Sequence, residues 1–413
     1  MPNILKTTSM LQQFKKLGPG LLFAGAAIGV SHLVYSTKAG ANFGFGLVWA
    51  LILINAIKYP FFQFGPRYAA ATGESLLDGY RKLGKGALVA YTIVTLATMF
   101  TIQTAVTIVT ASLASELFGL SLSNFQWSVI ITIICLSILV IGRYKLLDKL
   151  MKIIIVTLTI TTLIAVSFAS GNASAIPFNQ IIPNNTTDII FLIAFMGWMP
   201  APLDISIWHS LWSVEKSKTT NEKTQKRIAL FDFNIGYITT IILGLGFISL
   251  GALVMFNSGE TFSDKGTVFS KQLIGLYTSS LGKGAAFIVA IAAFTTMFST
   301  TLTTLDASPR SMARAVTLLA PKIVRHTYVF WMLVLVMGTV VILDFFTSEM
   351  GTLIKVATIL SFLTAPFYAI MNYVLLTSKH TPKTWQPNTG MKAYAIVSII
   401  LLIAFSIWYL TKL

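Results

Sequence analysis

The chain has 413 residues, 55% hydrophobic and only 11% charged, with 30 Lys and Arg against 14 Asp and Glu for a formal net charge of +16. Apolar runs of about 20 residues, enough for a helix to cross a bilayer, recur along its length, which excludes a water-soluble domain and marks a polytopic membrane protein. The single cysteine, Cys135, lies in an apolar run and excludes disulfides and a thiolate metal site alike.

In chain order, about eleven spans are predicted, at 18–40, 44–70, 87–118, 126–142, 148–170, 187–212, 229–256, 282–307, 326–346, 350–377 and 391–411. The first apolar run has no small-residue cleavage site behind it, so the N-terminal stretch is not expected to be a removed signal. The loops on one side hold Lys6, Lys15, Lys16, Arg67, Arg81, Lys82, Lys85, Arg143, Lys145, Lys149, Lys152, Lys216, Lys218, Lys223, Lys226, Arg227, Arg310, Arg314, Lys322, Arg325, Lys379, Lys383 and Lys392. Those on the other side hold only Lys38, Lys265, Lys271, Lys283, Lys355 and Lys412. The positive-inside rule then places the N-terminus in the cytoplasm and the C-terminus outside, in the plasma membrane if the source is bacterial. Charge spread over many short loops is a topology signal, which removes nucleic acid as a partner and leaves the lipid bilayer. Oligomeric state is not encoded in this pattern.

The first span begins LGPG and is interrupted near mid-depth by Gly25, Gly29, Ser31 and His32. A helix broken at 29–32 frees backbone carbonyls toward a cavity, the setting in which irregular backbone is tolerated at membrane depth; the alternative is close packing at small residues. In the second span Lys58 lies about two and a half turns before Arg67. It is expected to snorkel or to pair with Asp204 or Asp232, the pair being the favoured role. In the third span Gln103, Thr107 and Thr110 share a face, as helix glue or as the lining of a wet path. The fourth and fifth spans are nearly featureless, as scaffold helices should be.

The sixth span contains MPAPLDISIWH at 199–209. Pro200 and Pro202 each remove a backbone donor and break the helix. Asp204 is costly in hydrocarbon and therefore marks a functional site; the alternative is structural pairing. The seventh span opens with Asp232 and Asn234, expected near the inner face and hydrated, and then turns glycine-rich. The outer connection 256–282 is a candidate lid. The eighth span carries a hydroxyl stripe that includes Ser299 and Thr300, then Asp306 and Arg310 four residues apart. The tenth is kinked at Pro366 and holds Thr364 and Asn372. The last is tipped by Trp408 and Tyr409, an interfacial anchor.

Breaks in spans one and six, five apart, make the pattern of an inverted repeat, with the site at the midplane where the breaks meet. The expected architecture is an all-α integral membrane protein with a 5+5 inverted repeat. The halves are 17–170 and 187–377, with 391–411 an added helix, in one transporter domain of 1–413.

LGPGLLFAGAAIG, TKAGANFGFGLVWALILIN, RYAAATGESL, the outer LFG at 117–119, Met199-Pro200, the hydroxyl-rich eighth span and APF at 365–367 together resemble the natural resistance-associated macrophage protein (NRAMP) family of proton-coupled divalent-metal transporters. The resemblance implies the LeuT-type fold. Counting back from AGA at 39–41, Gly29, Val30, Ser31 and His32 stand where the family has Asp-Pro-Gly-Asn, so the chain resembles a divergent member lacking that motif. Met199 matches the family's soft ligand, Gln103 and threonines stand for its third-span acids, and Thr364 stands near its tenth-span glutamine.

The candidate substrate-binding residues are Gly29, Ser31, His32, Met199, Ala201, Asp204, Ser206 and Thr364. Those for proton relay or gating are Asp204, His209, Lys58, Gln103 and Thr300, and those for a metal are Asp204, His32 and Met199. Nitrogen, sulfur and carboxylate donors suit a transition metal, whereas Asp204, Ser31, Ser206 and Thr364 suit a hard cation. The leading expectation is a secondary transporter moving a divalent metal cation by alternating access, coupled to protons. The alternative is a carrier of a small organic or zwitterionic solute held at half-helix N-termini. No nucleophile–base constellation or phosphate loop points to an enzyme, and no cofactor is expected beyond the transported and coupling ions.

Overall fold

The computed structural model describes residues 17–171, 176–221, 225–256, 262–263, 265–281, 283–322, 327–346 and 350–411. Lys6, Lys15, Lys16, Lys223, Arg325 and Lys412, used in the topology argument, lie outside these residues, as do 257–261, 264 and 282 of the candidate lid.

All regular structure among the described residues is helical. The first span is α1 (Pro19–Ala27), a π-helical turn (Ser31–Ser36) and α2 (Thr37–Phe43), bent by 50° at the break. Pro19 starts α1 where a missing N–H costs nothing. The second span is α3 (Val48–Thr72), followed by a short α4 (Leu76–Leu83) capped reciprocally by Ser75 and Asp78. The third is α5 (Lys85–Phe118).

The fourth and fifth spans form one helical run, α6 (Asn124–Gly171), with membrane-length segments Asn124–Gly142 and Tyr144–Gly171. The sequence predicts an interruption at 143–147, and the two segments divide at residue 143 within that run. Its direction reverses: Asn124 bonds Ser112 near the end of α5, Asp148 lies beside Gly18, and Thr162 lies beside Gly246. A Cβ on Gly142 would overlap the Leu146 side chain, which in a straight helix lies about 5–6 Å away.

The sixth span is α7 (Thr186–Trp198), an irregular stretch with a cis Met199–Pro200 bond, and α8 (Ile205–Thr220). The chain continues as α9 (Lys226–Met255), α10 (Gly266–Leu281), α11 (Lys283–Leu319), α12 (Thr327–Phe346), α13 (Met350–Thr377) and α14 (Thr389–Leu410). The candidate lid is thus largely the helix α10. Among the described residues eight helices are long and apolar enough to cross a membrane, nine with the bent α1–α2 pair. The α7–α8 pair and α11 occupy the remaining predicted spans. Ile141, Met337 and Phe345 stand 82, 69 and 75% exposed on α6 and α12, an arrangement suited to hydrocarbon rather than water.

Both halves of the first span rest directly on α9. A Cβ on Gly20 would overlap the Asp232 carbonyl, and one on Gly236 the Gly20 carbonyl. Farther along, a Cβ on Gly40 would overlap the Ile248 carbonyl, and one on Gly251 the Thr37 carbonyl. Small residues here let backbones touch, the main route to helix association in lipid. Asp232 is buried rather than hydrated, against expectation. Its carboxylate accepts the Gly18 and Gly20 N–H groups at 2.9 and 2.8 Å, satisfying the orphan donors that start α1.

Candidate functional site

The two breaks meet. Ser31 Oγ, at the end of the first break, lies 3.0 Å from the Ala27 carbonyl, 3.3 Å from the Pro200 carbonyl and 2.8 Å from His32 Nδ1. His32 Nε2 lies 3.0 Å from the Thr240 carbonyl, which only accepts, so Nε2 carries a proton. Nδ1 makes its contact with Ser31 Oγ, whose single proton is also within reach of the Ala27 and Pro200 carbonyls. Both ring nitrogens are engaged, which removes His32 from the set of open metal ligands in this conformation. A Cβ built on Gly244 would lie 3.6 Å from Met199 Cε and 3.7 Å from His32 Cδ2, so the thioether and the imidazole are neighbours over α9.

The carbonyls freed by each break are satisfied by different helices. At the first, Thr300 Oγ1 lies 3.2 Å from Gly25 O and 3.0 Å from Ile28 O, and Ser299 Oγ lies 3.3 Å from Gly25 O. A Cβ on Gly29 would overlap Thr300, so α11 reaches the break only because that residue is glycine. At the second, the Lys58 ammonium lies within hydrogen-bond distance of four carbonyls: Met196 at 3.2 Å, Gly197 at 2.6 Å, Met199 at 2.8 Å and Ala201 at 3.2 Å. Lys58 thus neither snorkels nor forms an ion pair with Asp204 or Asp232, contrary to expectation.

Asp204 opens α8 and is buried; its Oδ1 has no hydrogen-bond partner among the described residues. It is close enough to Lys58, Tyr91 and Tyr368 for electrostatic contact. Between the breaks lies a cavity of about 30 Å³, the room of a water molecule or a bare ion. Of the sequence candidates, Gly29, Ser31 and Thr300 line it. Trp198, Trp208 and Thr304 also line it and were not among the sequence candidates. Asp204 does not line it. No group of three or more His, Cys, Asp or Glu able to hold a metal occurs among the described residues.

The other candidates have different work. His209 stacks against Phe23 at 5.6 Å and packs on Phe233 at 5.9 Å, with neither nitrogen bonded among the described residues. That apolar wall is apart from the cavity, so the structure sets His209, expected as a relay or gate, among aromatic rings instead. Ser206 Oγ donates to Leu203 O and accepts from Asn372 Nδ2, which ties α8 to α13. Thr364 spends its hydroxyl on the Leu360 and Ser361 carbonyls of its own helix. Gln103 Nε2 reaches Thr107 Oγ1 and Thr301 O, while Thr110 meets Thr301 at 2.7 Å, so this face is the glue between α5 and α11. Ala201 contributes its carbonyl to Lys58.

Farther along α11, the buried carboxylate of Asp306 gathers three helices. Its Oδ2 accepts from Trp212 Nε1 at 2.9 Å and Arg310 Nε at 3.1 Å. Its Oδ1 accepts from Arg310 Nη2 at 2.6 Å and the Tyr328 hydroxyl at 2.7 Å. Arg310 also lies 3.7 Å from Glu215, and Arg314 pairs with Asp78. Arg310, Tyr328, Glu215, Arg314 and Asp78 border a cleft of about 300 Å³.

The chain is 36% identical over 379 residues to the uncharacterised protein PM0681 of Pasteurella multocida, covering 90% of this chain and 87% of that one. It is 22% identical to the divalent metal cation transporter MntH of Staphylococcus aureus, over 59% of this chain and 56% of that protein. Its fold matches the manganese transporter of Eremococcus coleocola with a TM-score of 0.76 at 14% identity, covering 98% of this chain and 87% of that one. It also matches Mhp1, a nucleobase-cation-symport-1 family transporter, with a TM-score of 0.58 at 16% identity and 95 and 92% coverage. The fold is therefore of the LeuT type, in a multi-pass integral membrane protein. The model of the natural resistance-associated macrophage protein-like family matches residues 20–412, and the chain belongs to that family.

Proposed function

We propose that this protein is a secondary transporter that moves a divalent metal cation across the membrane by alternating access, with protons as the coupling ion. The observation that carries this reading is the junction of the breaks, where Ser31 meets the Pro200 carbonyl beside a cavity sized for a bare ion. Family membership supports it, as do the functions named for the Staphylococcus aureus and Eremococcus coleocola proteins. The ion, as substrate, is held at the cavity by the Ser31 and Thr300 hydroxyls and carbonyls of the breaks, and the Met199 thioether, which lies outside the cavity over α9, joins them as the breaks move. Asp204 supplies the charge or accepts the coupling proton. When the breaks part, Ser31 Oγ loses the Pro200 carbonyl, and rotation of its hydroxyl away from His32 Nδ1 opens that nitrogen as a donor to the metal or a stop for the proton. The halves 17–170 and 187–377 rock against each other around this point, with the N-terminus in the cytoplasm and the C-terminus outside.

A second reading, a small organic or zwitterionic solute as cargo, draws on a different observation. The cavity wall holds two tryptophans and no carboxylate, and Lys58 already places a positive charge at the break, which raises the cost of a dication. Uptake into proteoliposomes separates the two. Manganese, magnesium and calcium are offered in parallel with a panel of amino acids and small acids, with and without an inward proton gradient. Saturable, gradient-stimulated uptake of a metal is the expected result. Uptake confined to organic solutes would transfer the assignment to the second reading.

A further inference from the structure

We infer that the carbonyl ring at the break of the sixth span is a monovalent-cation site that the chain fills with its own Lys58, so that the carrier runs without sodium or potassium. The last turn of α7 exposes carbonyls with no helical partner, at the negative end of a half-helix dipole. Met196 and Gly197 contribute from that turn, and Met199 and Ala201 from the irregular stretch that follows. Four oxygens converge on one nitrogen at 2.6 to 3.2 Å, one more acceptor than an ammonium has protons. That is coordination by number and distance, of the kind with which rings of backbone carbonyls replace the hydration shell of a free cation. Half-helix C-termini and unwound carbonyls serve coupling cations in carriers built from broken helices.

Here the cation is covalently anchored. Lys58 is fully buried on α3, and its stem spans from that helix to the break. Its charge faces Asp204, whose Oδ1 has no hydrogen-bond partner among the described residues, so a counter-charge lies across the break without closing an ion pair. A tethered cation cannot leave with the cargo. It holds the end of α7 to the irregular stretch through the cycle and spends no cation gradient. The inference does not depend on which solute is carried.

The test uses the full-length chain purified in detergent as wild type, Lys58→Met and Lys58→Gln, with thermal midpoints read in choline, sodium and potassium chloride at equal ionic strength. The wild type should be indifferent to the cation. The variants, with the ring vacated, should gain a saturable rise of about 3 °C in sodium or potassium once the salt reaches about a hundred times its dissociation constant. Recovery of a variant as a monodisperse protein in sodium or potassium but not in choline counts the same way. A sodium- or potassium-dependent rise in the wild type overturns the inference whatever the variants do. So do folded variants indifferent to the cation, and so does failure of both variants in every salt, since a free cation should then have replaced the ammonium.

Discussion

Replacing Asp306 by Asn changes one atom of the side chain and tests whether that carboxylate is the hub joining α8, α11 and α12. In the wild type each carboxylate oxygen accepts two bonds, from Trp212, Tyr328 and two nitrogens of Arg310, all between 2.6 and 3.1 Å. The group is 1% exposed, so water cannot take over. An amide keeps one accepting oxygen and turns two N–H groups toward the other pair of donors. Two bonds involving a charged group are lost at about 1.5–3 kcal/mol each, or about 3–6 kcal/mol together. The Arg310 guanidinium, stacked 4.9 Å from the Tyr328 ring, also loses its charge partner. With an unfolding entropy of about 2.1 cal/mol/K per residue, a chain of this length should lose roughly 3–7 °C in thermal midpoint. Intrinsic fluorescence during heating reads it, and Trp212 should change its emission as its N–H is released. An unchanged midpoint together with an unchanged spectrum would refute the hub.

Asp204→Asn should lower uptake about tenfold or more, the equivalent of one interaction with a charged group, without loss of the folded protein; uptake at the wild-type rate would remove Asp204 from the mechanism. Thr300→Val should leave the Ile28 carbonyl of the first break without its hydroxyl partner and the Gly25 carbonyl with Ser299 alone, costing about 1–3 kcal/mol in stability and raising the apparent KM. Unchanged values of both would show that α11 does not hold the break. Gly251→Val puts side-chain atoms where the Thr37 carbonyl lies, and since backbone cannot step aside as a side chain can, no monodisperse protein should elute from size-exclusion chromatography. A normal elution profile would mean that α2 and α9 have room to separate.

The breaks were legible in the sequence because proline and glycine act on the backbone wherever they stand. Gly29 and the Pro200–Pro202 pair mark both interruptions, and the Asp306–Arg310 pair follows from helical spacing alone. What was not legible depends on main-chain atoms. The sequence suggests a carboxylate partner for Lys58 because carboxylates have letters in a sequence, whereas its partners are carbonyls exposed by the break. Asp232 reads as hydrated for the same reason: its partners are the Gly18 and Gly20 N–H groups, which every residue but proline possesses. The cavity tryptophans read as ordinary apolar residues, and only the folding of α7 and α8 around the irregular stretch turns Trp198 and Trp208 inward. His209 shows the converse error, a chemically suggestive side chain that packs among phenylalanines.

The central claim is that the junction of the breaks receives a divalent cation, and manganese uptake into proteoliposomes by the wild type and Met199→Ala, measured side by side, tests it most directly. The wild type should accumulate manganese saturably, and loss of the thioether should raise KM or lower the rate by about tenfold, the effect of one soft donor removed from the ligand set. No manganese uptake by the wild type, or equal uptake by both proteins, would contradict the account.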